Sequence, residues 1–449
     1  MTKNHVANGL VNALLSGDAQ TEPARARCIQ TLGTDYPWLG KLVRRLVNQF
    51  VAAWHTGSSE QMSTTITSYP DFCDAFSGRN RPRLRYYFLA SPNMIPRPLG
   101  LRDCDIPKLP APGDIADWLD ITTRDLDWFC QPHFRRSQRC NDRSNHYVYQ
   151  WIPKRNGGFR LIESPKIRLK TIQRRILGDI LNRVPTHESV HGFRRGYSPL
   201  SNAAVHVGQR VVIHMDLEDF FLNVGRARVT ALFKTLGYPV ESARTFSALC
   251  TNLVPYDVLN INNPAKYDHE IPKPSWRKRQ QFQSPHLPQG APTSPALANL
   301  CAFRLDMRLA HAARTIGARY TRYADDLVFS GGRTLSRGAD RFPSLVGAIA
   351  LEEGFAINHR KTRVMRTSSR QQVTGIVVNE KPNLSRSQYD ALKATLYNCS
   401  RQGAVSQNRH THSDYRAYLA GRIAYFVQVN PGRGTKLRKL FDRICWDNE

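Results

Sequence analysis

Hydrophobic residues recur along this chain with two different periods, and each period predicts a different kind of element. In YPWLGKLVRRLVNQFVAAW (36–54) they return every three or four residues, which predicts an amphipathic helix with an apolar face formed by Trp38, Leu39, Leu42, Leu46 and Phe50. The stretch IADWLDITTRDLDWF predicts two short helices, with Thr122 as the N-cap of the second. Residues from about 381 onward also predict helices, and these are basic.

The β-type pattern begins at about Tyr147. Two β-rich runs flank Asn156-Gly157-Gly158, which predicts a hairpin. VVIHMDLEDFF (211–221) predicts a buried strand that ends in acids, and RYTRYADDLVFSG (319–331) predicts strand, turn and strand. Between them, PTSPALANLCAFRLDMRLAHAAR predicts a helix with Ser294 as N-cap and Pro295 at the first helical position.

These elements together predict an α+β fold in which helices pack an antiparallel sheet. The stretch LGLRDCDIPKLPAPGD (99–114) contains three prolines and predicts a linker. We therefore expect four parts in the chain, which are a mostly helical N-terminal extension of unknown role (1–95), a helical lead-in (96–146), the sheet-bearing region (147–380) and a basic helical region (381–449).

The charge balance indicates the class of partner. The 449 residues include 64 Lys and Arg against 36 Asp and Glu, a formal net charge of +28. Such an excess favours a polyanion, nucleic acid foremost. No run of 18 apolar residues predicts a membrane span, and the N-terminus lacks the pattern of a secretory signal, so we predict a cytoplasmic protein without a membrane partner.

The nine cysteines are odd in number and scattered, which favours a reducing compartment. One arrangement resembles a zinc site, because Cys130 and His133 are followed by Cys140 and His146. The spacing is looser than that of zinc knuckles, and the stretch is crowded with aromatic and arginine residues. We therefore predict packing rather than zinc binding there.

Three acidic residues carry the strongest chemical signal. Asp216 ends an apolar strand, while Asp325 and Asp326 occupy the tip of a predicted hairpin. If these strands are neighbours, two or three carboxylates converge, and hard cations such as Mg²⁺ bind oxygens of this kind. Two such ions, about 3.5–4 Å apart, can activate a hydroxyl and stabilise a leaving pyrophosphate. For the adjacent pair taken alone, a solvated turn is the alternative.

Three further stretches could bind a nucleotide. HLPQGAPTSPALANL (286–300) contains a Gly loop that runs into a helix and suits close approach by a nucleotide backbone. KRNGGFR (154–160) places three cations on a Gly-Gly hairpin, where they could clamp a triphosphate; an exposed basic hairpin is the alternative. INHRKT (357–362) adds Lys361, either a proton donor to a leaving pyrophosphate or an ordinary surface lysine.

The order of these motifs resembles the palm of reverse transcriptases: Asp216 with Phe221 five residues on, QGAPTSP, YADD, and a stretch with Gly354, Asn358 and Lys361. Within that superfamily, NAAVH (202–206) resembles the NAxxH pattern, and VTG (373–375) the VTG pattern, of retron reverse transcriptases. HGFRRGYSP (191–199) and the C-terminal tail are also similar to that group. The resemblance covers roughly residues 100–449. It implies a right-hand polymerase with fingers and palm in 147–380 and a helical thumb in 381–449.

The resemblance also implies roles for individual residues. Two Mg²⁺ ions would be held by Asp216, Asp325 and Asp326, with the backbone carbonyl of Leu217 as a further ligand. Phe221 would be the steric gate that favours dNTPs. Other nucleotide contacts would come from Lys154 (with Arg155 as its competitor), Arg160, Gln289, Gly290 and Lys361. Tyr323 would touch the primer end, and the cognate RNA would be faced by Asn202, His206, Val373, Thr374, Gly375 and the basic thumb.

The implied activity is that of an RNA-directed DNA polymerase of retron type. Such an enzyme uses a cognate structured non-coding RNA as template and primer, starts from a 2′-hydroxyl and makes a branched RNA–DNA hybrid (msDNA). The implied role is defence against phage in the bacterial cytoplasm, with a retron effector protein as a candidate partner. The alternatives are a group II intron-like or abortive-infection-type reverse transcriptase, or an inactive RNA-binding scaffold. The three intact aspartates argue against the scaffold.

Residues 1–95 lie outside the resemblance. Within them, RNRPRLRYYF (79–88) alternates arginines with other residues and ends in three aromatic residues. This pattern predicts either an edge strand that packs its aromatic residues on the fingers, or a contact with RNA or a partner protein. Both interpretations stay open from the sequence.

Overall fold

The structure is a computed structural model that describes residues 2–51, 54, 59–78, 81–88, 93–130, 145–154, 158–259 and 274–446. These residues form helices and a small antiparallel sheet, so the predicted α+β class is confirmed. The first five helices are α1 (Lys3–Leu15), α2 (Thr21–Leu32), α3 (Leu39–Phe50), α4 (Ser59–Thr67) and α5 (Pro70–Ser77).

Helices α1 to α5 share one hydrophobic core. The apolar face predicted around α3 is buried at every position, from Trp38 to Phe50, and it packs with residues of α1, α2, α4 and α5. Since burial of a large apolar side chain contributes about 1.5–3 kcal/mol, this core gives the N-terminal helices a stabilising centre of their own.

Two short helices follow, α6 (Pro112–Leu119) and α7 (Thr123–Cys130). Thr122 caps α7 as predicted, because its Oγ1 accepts a hydrogen bond from the N–H of Asp125 at 3.0 Å. The predicted linker, however, ends earlier than Asp114. Pro112 opens α6, and the Asp114 carboxylate accepts the N–H of Ala111 at 2.8 Å, so the last proline starts a helix instead of a loop.

The predicted hairpin is formed by β1 (Tyr147–Pro153) and β2 (Phe159–Pro165), although its tip at Arg155, Asn156 and Gly157 lies outside the described residues. The next elements in chain order are α8 (Ile167–Asp179), α9 (Pro199–Ala204), β3 (Val211–Glu218), α10 (Arg226–Thr235), α11 (Val240–Cys250), α12 (Tyr256–Leu259), α13 (Trp276–Phe282), α14 (Ser294–Cys301), α15 (Phe303–Thr315), β4 (Arg319–Tyr323) and β5 (Asp326–Gly331).

The segment predicted as one helix from Ser294 is in fact the two helices α14 and α15. The N-cap is Thr293 and not Ser294, which is already helical. Pro295 therefore occupies the second helical position, where the backbone N–H that proline lacks would have no partner within the helix. Ala302 leaves the helical conformation at φ −90° and ψ 4°, and α15 begins at the next residue.

The remaining elements are α16 (Arg333–Arg337), α17 (Phe342–Glu352), β6 (Ala356–Ile357), β7 (Arg363–Arg366), β8 (Gln372–Val373), β9 (Ile376–Val377), α18 (Arg386–Gln402), α19 (Tyr415–Val429) and α20 (Pro431–Phe441). Strand β3 is central in the main sheet. It pairs antiparallel with β5 on one side, and with β6 and β7 on the other, while β4 continues the sheet beyond β5.

Backbone contacts divide the chain into two compact units. The first comprises residues 1–148, 165–184 and 226–257, and the second comprises 149–164, 185–225 and 258–449. All the described residues of the candidate site lie in the second unit. The four-part division given above (1–95, 96–146, 147–380 and 381–449) stays a prediction.

Two further expectations concern the surroundings of these elements. Across the described ranges, no helix combines the length and the apolar character needed to cross a membrane.

At the zinc-like stretch, burial raises the pKa of the Cys130 thiol to about 12. His146 Nε2 lies 3.0 Å from the carbonyl oxygen of Trp128, and the His146 ring also contacts the ring of Trp128. Both residues are engaged in packing, while His133 and Cys140 lie outside the described residues.

Candidate active site

The register of the sheet brings the acidic residues together. Strands β3 and β5 pair so that Asp216 lies directly opposite Asp326. Asp325 lies in the turn between β4 and β5, where its carbonyl oxygen accepts the N–H of Leu217 at 2.9 Å. The turn depends on Ala324, which adopts a left-handed φ of +58°.

The adjacent charges affect one another. Burial, together with the negative charges of Asp326 and Asp216, raises the pKa of Asp325 to about 6. Asp216 itself is buried. Three carboxyl groups in this arrangement are costly unless cations compensate them.

Two side chains supply that compensation in the structure. The ammonium group of Lys361 pairs with Asp216 Oδ1, and His214 Nε2 donates to Asp326 Oδ1 at 3.0 Å. Burial lowers the pKa of His214, but the hydrogen bond and charge of Asp326 outweigh it, so the pKa lies above its ordinary value. The sequence already held the signal for His214, because residues 214 and 216 share one face of a strand.

The donor set fits a hard divalent cation. Asp216, Asp325 and Asp326 offer carboxylate oxygens, which are the ligands Mg²⁺ prefers. In the described part of the chain, no three His, Cys, Asp or Glu side chains already form a metal-ligand cluster. Lys361 and His214 each engage one carboxylate of the group. A divalent ion would therefore compete with Lys361 for Asp216. The role of the Leu217 carbonyl stays a prediction.

Two phenylalanines follow Asp216 at the end of β3. The Phe220 ring is buried and packs at 5.6 Å on the ring of Phe355, whereas Phe221 is half-buried. The ring of Phe221 lies 6.2 Å from that of Phe193, which is exposed and adopts a left-handed φ of +57°. Phe220 is therefore anchored in the core, whereas the ring of Phe221 stays partly accessible.

Gln289 and Gly290 lie against β2 rather than on an open loop. The carbonyl oxygen of Gln289 accepts the N–H of Glu163 at 2.8 Å. Gly290 has a φ of +133°, and a Cβ there would lie 2.9 Å from the carbonyl oxygen of Glu163. The glycine is thus required by its approach to the neighbouring strand, and its predicted contact with the nucleotide stays a prediction.

Cationic side chains gather beside Asp219, three residues after Asp216. The pKa of Lys154 is lowered by partial burial and by the positive charges of Lys278, Arg160 and Lys361. Lys278, on α13, forms an ion pair with Asp219 at 3.0 Å. The sequence analysis did not identify Lys278, because it lies 59 residues beyond its partner with no motif around it.

A fully buried ion pair supports the turn at Ala324 and Asp325. Arg322 donates through Nε and Nη2 to the two carboxylate oxygens of Asp306 at 2.7 and 2.6 Å. Its Nη1 donates to the side chain of Asn299 at 2.9 Å and to the carbonyl oxygen of Ala324 at 3.0 Å. Arg322 therefore holds the carbonyl group that directly precedes Asp325.

The same network includes Gly192. Its carbonyl oxygen accepts a hydrogen bond from Asn299 Nδ2 at 2.9 Å, and a Cβ on this glycine would lie 2.4 Å from the backbone nitrogen of Ala324. Only glycine allows the backbone to pass this close to the turn. The turn is thus fixed on two sides by groups that the sequence does not mark as catalytic.

Three of the residues predicted to face RNA are buried, and the RNA contact of the whole set stays a prediction. Asn202, His206 and Val373 are each 0% exposed. The His206 ring nitrogens lie 2.7 Å from the hydroxyls of Ser330 and Thr321, and burial lowers the pKa of this histidine to about 3. A neutral histidine with two hydroxyl partners serves the packing of the sheet.

The VTG stretch forms a tight hairpin. Thr374 and Gly375 connect β8 and β9 with φ values of +46° and +83°, as a two-residue turn of this kind requires. The Thr374 hydroxyl donates to the carbonyl oxygen of Pro199 at 2.9 Å. Thr374 is half-buried and Gly375 is exposed, so these two residues remain available for the predicted RNA contact. Tyr323 ends β4 opposite Asp326 and is half-buried.

A family model described as reverse transcriptase (RNA-dependent DNA polymerase) matches residues 152–378, just over half of the chain. The chain belongs to this family. The match includes the acidic residues, the Gln289–Gly290 segment and VTG. The family relies on divalent metal ions, in keeping with the carboxylate set described above.

Similar proteins among the characterised ones include retron reverse transcriptases, so the retron resemblance is confirmed. Retron Mx65 reverse transcriptase from Myxococcus xanthus is 40% identical over 67% of this chain and 65% of its own length. Retron Mx162 reverse transcriptase from the same organism is 34% identical over 71% of this chain and 64% of its own length. Retron Ec86 reverse transcriptase from Escherichia coli is 31% identical over 56% of this chain and 69% of its own length. The chain thus spans slightly under two thirds of the first two relatives.

Proposed function

We propose that this chain is an RNA-directed DNA polymerase of retron type. The observation that carries the proposal is the position of Asp216 opposite Asp326, with Asp325 beside them at a turn held in a left-handed conformation. The similarity to retron reverse transcriptases supports the same conclusion. The substrates are dNTPs and an RNA template. The finer proposal is that a cognate non-coding RNA primes from a 2′-hydroxyl, yields msDNA and acts in defence against phage, with an effector protein as a further partner.

The chemistry is phosphoryl transfer, which depends on positioning and charge neutralisation. When bound, two Mg²⁺ ions activate the attacking hydroxyl and stabilise the leaving pyrophosphate. Asp216, Asp325 and Asp326 would hold these ions. Lys361 has a side chain that is 53% exposed, and when it is displaced from Asp216 it is free to donate a proton to the pyrophosphate.

Other residues of the second unit bind the incoming nucleotide. Lys154, Arg160 and Lys278 carry the positive charge that the triphosphate requires. Gln289 and Gly290 line the base and sugar pocket from the side of β2. Phe221 lies beneath the sugar and excludes a 2′-hydroxyl, and Tyr323 supports the primer end.

The direct test measures nucleotide choice on a defined substrate. The purified chain should extend an oligo(dT) primer on poly(rA) with dTTP and Mg²⁺, and should use UTP at least about 100-fold less efficiently. Phe221→Ala should reduce that dTTP preference by at least about tenfold, because the space under C2′ opens. Absence of extension by the wild-type chain would contradict the polymerase, whereas an unchanged preference in the variant would contradict only the gate.

A second test concerns Lys278. This lysine pairs with Asp219, and we predict that it also binds a phosphate group of the nucleotide. Lys278→Ala should raise the KM for dTTP by about tenfold with little change in kcat, because it removes one charge-assisted contact worth about 1.4 kcal/mol. Arg277→Ala is the matched control, since Arg277 is an exposed cation on the same helix. Asp219→Asn should leave KM unchanged or lower it. If it raises KM as much as Lys278→Ala does, the pair is merely structural.

A further inference from the structure

We propose that residues 81–88, here called the Arg–Tyr segment, form a binding surface for single-stranded RNA in the first unit. The segment is not the edge strand that the sequence allowed, since no strand occurs within 81–88. Its side chains nevertheless alternate. Arg81, Arg83 and Arg85 are exposed, while Pro82 and Leu84 are buried.

The segment is anchored to the N-terminal helices by its buried side. Leu84 packs over Gly9 of α1, where an added Cβ would lie 2.6 Å from the leucine methyl groups. The N–H groups of Arg85 and Tyr86 both donate to the carbonyl oxygen of Thr31, at 2.7 and 3.2 Å. Because the backbone is held in this way, the arginine side chains are presented on one side without a further ordering cost for the backbone.

Aromatic rings continue the exposed face. Tyr86 and Tyr87 are 48% and 54% exposed, although burial of such rings is normally favourable. Phe88 braces Tyr86 edge-on at 4.9 Å, and the Tyr87 hydroxyl lies 3.3 Å from His5 Nε2. Both tyrosines are therefore held in place while much of each ring stays accessible to a stacking partner.

The chemistry of this surface matches an unpaired RNA strand. Within the described ranges, none of the three arginines forms an ion pair. Buried residues separate the three arginines from one another, so their guanidinium groups can reach separate phosphates. Exposed rings beside them can stack on bases irrespective of sequence. An acidic protein could also use the arginines, but the exposed rings of Tyr86 and Tyr87 beside them suit stacking on bases, which favours RNA.

The test uses the full chain and two localised changes. Binding of a fluorescein-labelled 12-nucleotide oligo(U) is measured by anisotropy between 50 and 200 mM salt. Arg81→Glu/Arg83→Glu should weaken binding at least about tenfold and reduce the slope of log Kd against log salt by about 1.4, the value for two phosphate contacts to a single strand. Tyr86→Ser/Tyr87→Ser should weaken binding at least about fivefold through lost stacking.

Arg44→Glu/Arg45→Glu is the matched control, because it changes the net charge equally at two exposed arginines of α3. It should weaken binding less than about threefold. Photocrosslinking with 4-thiouridine RNA should map to the peptide that contains Tyr86 and Tyr87. If the control pair weakens binding as much as the segment pair, or if no crosslink maps to the segment, the proposal is overturned. Extension of poly(rA)/oligo(dT) should stay within about twofold in every variant, so this result is separable from that of the polymerase test.

Discussion

Asp325→Asn is expected to reduce primer extension by at least about a thousandfold while leaving RNA binding within about threefold. The amide removes one anionic metal ligand and so impairs charge neutralisation at the reacting phosphate. It removes no cation that contacts a nucleic acid backbone, which is why binding should persist. Extension of poly(rA)/oligo(dT) and anisotropy with the same duplex measure the two effects.

A stability measurement distinguishes this outcome from misfolding. In the absence of divalent ions, the variant should melt at or above the wild-type temperature, because one of three crowded carboxylates loses its charge. Asp340→Asn, at an exposed position of the same unit, should leave both activity and melting temperature unchanged. Near-wild-type extension by Asp325→Asn with Mg²⁺ would show that the two-metal assignment is wrong.

Arg322→Ala should have the largest effect on stability, a loss of about 3–5 kcal/mol in the free energy of unfolding. The truncation leaves the Asp306 carboxylate without its guanidinium partner in a site where both side chains are 0% exposed. It also leaves the Ala324 carbonyl oxygen without the Arg322 donor. Chemical denaturation at constant temperature is the appropriate measurement.

A double variant separates packing from positioning. Arg322→Met with Asp306→Leu removes both charges at once, and buried pairs replaced in this way often regain stability. We expect it to be more stable than Arg322→Ala yet to keep a kcat at least about tenfold below wild type with a similar KM, because the turn before Asp325 stays unsupported. Recovery of full kcat along with stability would show that Arg322 does not position the turn.

Much of the sheet could be predicted because the relevant information is local. Apolar runs marked β3 and β5, and the YADD tip marked the turn, so the approach of Asp216 to Asp326 followed once antiparallel pairing was assumed. Lys278 and Arg322 could not be predicted in the same way. Their partners, Asp219 and Asp306, are 59 and 16 residues away, and nothing in the local pattern indicates the pairing.

The residues assigned to RNA contact illustrate the opposite difficulty. A motif records that particular side chains occur together, but not whether they reach solvent. Asn202, His206 and Val373 are buried. Hydroxyl partners account for the burial of His206, and apolar neighbours account for that of Val373. Thr374 and Gly375 remain accessible because a two-residue turn projects them from the hairpin. Burial depends on the assembled fold, so it could not be taken from the pattern.

The hydrophobic core of the second unit limits how this protein can be recombined with its relatives. Helices α18 to α20 bury their apolar faces in the same cluster as Val212, Val328, Val373 and Ala203, which come from β3, β5, β8 and α9. A chimaera that takes only residues 381–446 from a relative would cut through this cluster and join two halves with unmatched volumes. In this protein an exchangeable module therefore comprises the sheet and the C-terminal helices together, and we expect substitutions in one to be coupled to substitutions in the other.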